Sequence, residues 1–113
     1  MLKKENRLRK NKEIESVLKN SKSFYNSDFS LKFKKNNLEN NRFCIVISAK
    51  VSKKAVRRNK LKRRLRSIFY LQKDNLKSGF DFLLISKKGV DEKDFSELEE
   101  SLLNLLKIAK ILK

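Results

Sequence analysis

The segment with the most evident chemical potential is a run of basic side chains in the middle of the chain. Residues 50–66 contain ten Lys and Arg residues and no Asp or Glu. Arg guanidinium groups bind phosphate oxygens through paired hydrogen bonds and stack on bases, and an Asn amide can pair with a base edge or a ribose hydroxyl. The run, with Asn59 inside it, therefore indicates contact with nucleic acid.

Helical spacing divides this region into two faces. Leu61, Leu65, Ile68 and Phe69 recur at the period of an α-helix, which predicts a helix over residues 53–72 with one apolar stripe. At about 100° per residue, the side chains that project opposite the stripe are Asn59, Arg63 and Arg66, with Lys60, Lys62 and Arg64 on the flanks. One face is expected to dock on the protein and the other to present cations to a partner.

A charged run is more often a solvated surface, and many Lys and Asn residues can simply reflect an AT-rich genome. The distribution of charge argues against both explanations, because six of the 13 acidic residues lie within residues 91–100 and none within the basic run. Like charges four residues apart, such as Lys62 and Arg66, destabilise a helix by about 0.2–0.5 kcal/mol per pair. A bound polyanion would offset that repulsion.

The composition excludes several kinds of active site. The 113-residue chain has no His, so neither a Ser-His nor a Cys-His catalytic pair can form. Its single Cys cannot close an internal disulfide, and one Cys without His is too few ligands for the usual zinc sites. We therefore predict no catalytic residues, no metal-binding residues and no bound cofactor in the protein itself.

Length and charge favour one small domain that binds a polyanion. A mass of 13.4 kDa is sufficient for one modest core, so residues 1–113 are predicted to form a single domain, with the polar residues 1–10 flexible. No apolar run approaches the roughly 18 residues of a membrane span, and the charged N-terminus is unlike a signal peptide. We expect a cytoplasmic protein with no membrane partner, whose net charge of +17 favours an anionic one.

A second candidate surface comes from aromatic residues. Phe24, Tyr25, Phe29 and Phe33 lie close together in the chain. Aromatic rings on an open sheet stack on unpaired bases in single-strand binding proteins. The spacing assigns Phe29 to the core, whereas Tyr25 and Phe33 are predicted as the surface rings.

The remaining periodicity gives the elements that must position these residues. The predicted elements are a helix over residues 11–20 with Asn11 as its N-cap, strands over 29–33, 43–49 and 80–86, the helix over 53–72, and an amphipathic helix within 90–113 with a capping box at Asp94 and Glu97. The order is α-β-β-α-β-α. This pattern predicts an α+β fold of one domain, with helices packed on a small central sheet.

The central segment resembles the signature of the bacterial ribonuclease P protein family, roughly A-V-x-R-N-x-x-K-R-x-x-R after a strand and at the start of a helix. Residues 55–66 read AVRRNKLKRRLR, and the matching positions are Arg58, Asn59, Lys62, Arg63 and Arg66. The opening Arg7-Leu8 with Glu13 is similar to the family's N-terminal stretch, and length, basicity and element order agree across nearly the whole chain.

The resemblance implies a subunit of an RNA-dependent endonuclease that matures the 5′ ends of precursor tRNAs. In this family the RNA subunit performs the hydrolysis with Mg²⁺ ions that it holds itself, and the protein has no catalytic residues. The protein binds the RNA subunit through its basic helix and holds the single-stranded 5′ leader of precursor tRNA in a cleft between the first helix and the sheet. The family fold includes a left-handed β-α-β crossover, against the usual handedness.

The same resemblance assigns roles to residues of this chain. The residues expected to bind the RNA subunit are Lys53, Lys54, Arg57, Arg58, Asn59, Lys60, Lys62, Arg63 and Arg66. The residues expected in the leader cleft are Ile14, Leu18, Tyr25 and Phe33.

The chain departs from the family pattern at three places. Lys60 stands where members often have Arg, and Lys53 and Lys54 stand where a glycine is common. Ile14 and Leu18 occupy first-helix positions that are often aromatic, so stacking on the leader is expected to fall to Tyr25 and Phe33.

Two other functions use the same residues. A structural RNA-binding protein, such as a small ribosomal protein, would neutralise RNA phosphates with the same basic face. A DNA-binding module would place residues 53–72 in a major groove, but no helix-turn-helix partner precedes this helix and the aromatic residues would be unexplained. We therefore expect RNA rather than DNA, and the nucleic acid that copurifies with the protein would distinguish the three functions.

Overall fold

A computed structural model describes residues 7–8, 11–19 and 21–113. Residues 1–10, which were predicted to be flexible, lie mostly outside the described residues. The predicted N-cap by Asn11 also falls outside them, because the Asn11 side chain is not described. The elements are α1 (Asn11–Lys19), β1 (Lys22–Tyr25), β2 (Phe29–Lys35), β3 (Arg42–Val46), α2 (Ala55–Leu71), β4 (Phe80–Ser86) and α3 (Phe95–Ile108), with short 3₁₀ turns at Lys73–Asn75 and Val90–Glu92. The predicted α+β architecture is confirmed, with one additional strand, β1.

The four strands form one mixed sheet in the order β1-β2-β4-β3. The pairs β1–β2 and β2–β4 are antiparallel, and β3 pairs with β4 in parallel. Parallel neighbours cannot be joined by a hairpin, so α2 is the crossover that connects β3 to β4. The basic helix is therefore fixed to the sheet at both of its ends.

One face of the sheet, which we call the core face, carries the main hydrophobic core. Phe29 and Leu31 of β2 and Phe82 and Leu84 of β4 lie on this face and are completely buried. The apolar stripe of α2 (Leu61, Leu65, Ile68 and Phe69) and that of α3 (Leu98, Leu102, Leu105 and Leu106) cover them. This burial holds the apolar side of α2 inward, so the basic side is directed outward.

The opposite face, which we call the α1 face, is covered only in part. Val17 of α1 and Leu8 pack on Leu83 of β4, and Ile14 and Cys44 border this small cluster. Among the described residues, α1 makes most of its sheet contacts with β2 and β4, and it leaves part of the α1 face uncovered. Val46 of β3 is 37% exposed there, although its apolar, β-branched neighbours predicted a strand buried on both sides.

A charged cluster fixes α1 to the sheet. The Arg42 guanidinium donates two hydrogen bonds to the Asp81 carboxylate, from Nε to Oδ1 at 2.8 Å and from Nη2 to Oδ2 at 2.7 Å. Its Nη1 also donates to Glu13 of α1, and Asn36 Nδ2 donates to Asp81 at 2.9 Å. Asp81 is 3% exposed, so its carboxylate depends on these donors. The hydrogen bonds that Arg42 donates to Asp81, opposed in part by burial, raise the pKa of Arg42 further above its usual value.

A second polar cluster holds the turn between β1 and β2 against α3. The buried Asp28 carboxylate accepts hydrogen bonds from Ser101 Oγ at 2.6 Å and Lys93 Nζ at 2.9 Å. Burial alone would raise the pKa of Asp28, but these two donors outweigh it and the pKa is lowered. Asn26 Nδ2 also donates to the Ser101 carbonyl at 3.0 Å. Because these hydrogen bonds fix the turn, they also fix the position of Tyr25, which directly precedes it.

The last helix is shorter than the amphipathic pattern within residues 90–113 suggests. Its predicted capping box is present: Glu97 N–H donates to Asp94 Oδ1 at 2.9 Å, and Asp94 N–H donates to Glu97 Oε1 at 3.2 Å. At the other end, Ala109 closes the helix and Lys110 adopts a left-handed conformation with φ 57°. The chain then pairs with the segment before β4, where Lys77 N–H donates to the Ile111 carbonyl at 2.9 Å.

Candidate nucleic-acid interface

The outer face of α2 carries the predicted cationic residues. Asn59, Lys60 and Arg63 are exposed, while Lys62, Arg64 and Arg66 are half-buried at the sides of the helix. Lys53 and Lys54 precede the helix and are also exposed. No Asp or Glu within α2 interrupts this surface. It can therefore take several phosphates at once.

Two of the basic side chains are directed away from that outer face, toward the loop before α3. Arg57 Nη2 lies 3.0 Å from Asp91 Oδ2, and Arg64 Nη1 donates to the Lys93 carbonyl at 3.3 Å. One carboxylate of the acidic segment thus neutralises one of the predicted RNA-binding cations. The sequence could not show this pairing, because the two residues meet only in the folded protein.

Arg58 has a different role from its neighbours at the start of α2. Its Nη1 donates to the Ser52 carbonyl at 2.8 Å, which ties the helix to the preceding loop. The backbone at Lys54 is extended and caps α2 without a side-chain hydrogen bond. Exposed N–H groups at such a helix start are favourable partners for an anion, and no acidic side chain occupies the first turn.

A small cleft extends the basic surface from α2 across β3. It has a volume of about 160 Å³ and is lined by Arg7, Cys44, Lys62 and Arg66, among others. Arg7 reaches it because residue 7 bridges to Phe43 of β3 and the Leu8 N–H donates to the Phe43 carbonyl at 2.8 Å. The Arg7 Nε is buried without a hydrogen-bond partner among the described residues. Arg7 was absent from the predicted site, and its match to the family's N-terminal stretch was the signal for it.

Cys44 lies in the same cleft and is half-buried. Burial raises the pKa of its thiol, while the nearby Lys62 and Arg66 act in the opposite direction. The raised pKa makes this thiol a poorer nucleophile than an exposed cysteine at neutral pH.

The second surface is the open part of the α1 face. Strand register places Tyr25, Ser30, Ile85 and Val46 in one row across all four strands. Tyr25 is 72% exposed, and Lys87 Nζ lies 4.9 Å from the centroid of its ring. A tyrosine ring beside a cation can stack on a base while the ammonium meets the phosphate. Lys87 was missed because its approach to Tyr25 depends on the turn held by Asp28.

The α1 residues predicted for the leader cleft divide into two kinds. Leu18 is 47% exposed and can contact a ligand. Ile14 packs against the cluster of Leu8, Val17 and Leu83 and mainly holds α1 on the sheet.

The placement of Phe33 in this cleft is wrong. Phe33 is 5% exposed and lies on the core face, opposite α1. Its ring centroid is 5.9 Å from that of Phe24 and 5.7 Å from that of Phe80. The alternation of β2 explains this, because Phe33 shares a face with the buried Phe29 and Leu31.

Among the described residues, no group of three or more His, Cys, Asp or Glu side chains is arranged to hold a metal ion. Within the same part of the chain, no helix is long and apolar enough to cross a membrane. The cationic surfaces described above suit the binding of an anionic strand.

Comparisons with known proteins agree with this geometry. The Ribonuclease P family model matches residues 2–110. The ribonuclease P protein component of Clostridium botulinum strain 657 is 39% identical over 109 residues, covering 96% of this chain and 97% of that protein. That of Thermotoga petrophila is 42% identical over 105 residues, covering 89% of each.

Solved structures show the same fold. The Staphylococcus aureus RNase P protein at 2.0 Å superposes with a TM-score of 0.88 at 28% identity, covering 96% of this chain and 98% of that one. The Thermotoga maritima RNase P protein superposes with a TM-score of 0.82 at 40% identity, covering 90% of this chain and 96% of that one.

Proposed function

The chain belongs to the ribonuclease P protein family, and we propose that it works by holding two RNA segments on two separate surfaces. As a member, it is part of the ribonucleoprotein endonuclease that matures the 5′ ends of tRNAs, in complex with the RNase P RNA. Family membership decides against the ribosomal and DNA-binding alternatives. The proposal concerns which surface meets which RNA and which component performs the chemistry.

The RNA subunit binds the outer face of α2 and the adjoining cleft. The observation that carries this assignment is the division of α2 into a buried apolar stripe and a cationic side with no carboxylate in the helix. Arg63 and Lys62 offer charges to the phosphates, and Asn59 offers an amide to a base or ribose. Arg7 and Arg66 extend the contact across β3.

The 5′ leader of precursor tRNA binds the open part of the α1 face. Tyr25 with Lys87 supplies stacking and charge, and Leu18 and Val46 supply apolar contact. A stacking ring beside a cation and apolar side chains makes contacts that do not depend on base identity, so this surface suits a single strand of variable sequence.

Replacing Tyr25 with Ala is expected to weaken binding of precursor tRNA to the assembled enzyme by about ten-fold, since base–aromatic stacking is worth roughly 1–3 kcal/mol per base. Mature tRNA, which has no leader, should bind as before. Tyr70→Ala is the matched control, because the Tyr70 ring also has a lysine beside it, with Lys73 Nζ at 4.1 Å, but Tyr70 lies on α2 rather than on the α1 face. Equal affinities for Tyr25→Ala and the unaltered enzyme would remove Tyr25 from the leader site.

The hydrolysis itself is assigned to the RNA subunit and its Mg²⁺ ions. The sequence has no His, and the pKa of its one Cys is raised by burial, so the protein offers neither an imidazole base nor an activated thiolate. The protein freed of RNA should not cleave precursor tRNA at any Mg²⁺ concentration, whereas the RNA subunit alone should do so at elevated Mg²⁺. Cleavage by the protein that persists after ribonuclease treatment would contradict this division.

A further inference from the structure

A cleft on the core face is not explained by either RNA surface. It has a volume of about 690 Å³, within the usual size range of small-molecule sites. Phe24, Phe33 and Phe80 contribute its apolar floor, and Ala109 and Ile111 contribute the wall at the end of α3. It lies on the side of the sheet opposite α1, because Phe33 and its neighbours belong to the core face.

The rim of this cleft is cationic. Lys22, Lys35, Lys77 and Lys110 line it and are exposed, and no Asp or Glu is among its lining residues. Lys34 also borders the cleft, but its ammonium donates to Ser16 of α1 on the other side. None of the ion pairs found among the described residues involves the four rim lysines.

Lys110 occupies a position that favours glycine. Its φ of 57° directly follows the end of α3, and a glycine normally takes this conformation because other side chains are strained in it. The strained residue nevertheless carries one of the four rim cations. The wall itself is fixed, since Lys77 N–H donates to the Ile111 carbonyl and Leu76 bridges to Leu112.

The combination of floor and rim identifies the chemistry of the ligand. Inorganic phosphate would leave the aromatic floor in water, and a neutral apolar ligand would leave four lysines without an anion. A nucleotide meets both requirements, because its base can cover the rings while its phosphate approaches the ammonium groups.

We propose that this cleft binds an unpaired nucleotide of the RNA partner, with the base over Phe24 and Phe80 and the phosphate among the rim lysines. It would be a third RNA contact, on the side of the sheet opposite the leader surface. The proposal rests on the proposed function only for the identity of the partner as RNA. The ligand chemistry follows from the cleft.

The test is an NMR titration of the full-length protein, free of RNA, with adenosine 5′-monophosphate. We expect saturable shifts of the Ala109 and Ile111 methyl groups and of the Phe24 and Phe80 rings. Ribose 5-phosphate, which lacks the base, should bind the cleft about ten-fold more weakly. Shifts confined to α2, or equal affinity for the two probes, would overturn the proposal, as would cleft shifts caused by anionic lipid vesicles but not by the nucleotide.

Two charge variants test whether nucleotide binding depends on the rim lysines or only on the overall positive charge of the protein. Lys22→Gln with Lys110→Asn removes two rim cations, and Asn is tolerated at positive φ, so this variant should fold. It is expected to weaken nucleotide binding at the cleft about three-fold or more. Lys88→Gln with Lys107→Gln removes the same charge from exposed sites outside the cleft and should weaken nucleotide binding only slightly, through the weaker overall field. Equal weakening by both variants would overturn the proposal.

Measurements on the cleft variants and on α2 variants distinguish a failure of this inference from a failure of the proposed function. If the nucleotide does not bind the cleft while the RNA subunit still assembles through α2, only the third contact is refuted. If the cleft binds the nucleotide but α2 variants assemble normally with the RNA subunit, the proposed role of α2 is refuted and the cleft remains.

Discussion

Replacing Lys62, Arg63 and Arg66 with Ala is expected to weaken binding of the RNA subunit by about 100-fold or more, because each charge-assisted hydrogen bond to a phosphate contributes on the order of 1 kcal/mol or more. The slope of log K against log salt should fall by about 0.7–0.9 for each phosphate that the variant no longer neutralises. Alanine is the best helix former, so α2 should remain intact in this variant. Filter binding or fluorescence titration over a range of salt concentrations measures both quantities.

The control for this variant removes three positive charges elsewhere. Lys88, Lys107 and Lys113 are exposed and lie outside α2 and outside the four strands, so their replacement with Ala lowers the net charge equally. We expect a small loss of affinity from the weaker overall field and an unchanged slope, since the same phosphates are still neutralised. If both triple variants lose affinity and slope to the same extent, binding depends on net charge rather than on α2.

Arg42→Ala is expected to lower the free energy of unfolding by about 3–5 kcal/mol, because it leaves the Asp81 carboxylate buried without its ion-pair partner. It also removes the ion pair from the sheet to Glu13, which helps to hold α1 in place. Chemical denaturation at neutral pH measures the loss. Because α1 borders the leader surface, precursor tRNA binding should weaken more than assembly with the RNA subunit.

Two further variants locate the origin of that loss. Glu13→Gln keeps the pair of Arg42 with Asp81 and removes only a partly exposed charge, so it should cost less than about 1 kcal/mol. Arg42→Met combined with Asp81→Leu removes both buried charges and should recover much of the stability. A double variant as unstable as Arg42→Ala would show that packing around Arg42, rather than the unpaired carboxylate, determines the loss.

Periodicity predicted α2 well because the burial of this helix is one-sided, and a continuous apolar run predicted β4, which is buried on both faces. The stripe of Leu61, Leu65 and Ile68 gave α2 to within two residues of its observed ends, and the strand over residues 80–86 is as predicted. β1 was missed because only Phe24 of its four residues is partly buried. Its hydrogen bonds to β2 define it, and such pairing between strands leaves no local pattern in the sequence.

The candidate site was predictable where it depends on one helix and not where it depends on the tertiary fold. The outward direction of Asn59 and Arg63 follows from angular spacing alone. In contrast, the ion pair of Arg57 with Asp91 and the position of Arg7 beside Lys62 depend on contacts between distant segments, which the sequence alone does not show. The error at Phe33 was avoidable, since a period of two places Phe33 on the same side of β2 as Phe29.

Directed cleavage of the RNA subunit from single positions on the protein tests most directly whether α2 faces that RNA. An iron chelate is attached to the thiol introduced by Asn59→Cys on α2 or by Glu100→Cys on the exposed side of α3, in a protein that also carries Cys44→Ala. We predict strong cleavage of the RNA subunit at a few adjacent nucleotides from position 59 and weak or no cleavage from position 100. Equal cleavage from both positions, or stronger cleavage from position 100, would contradict the assignment of α2 as the surface that binds the RNA subunit.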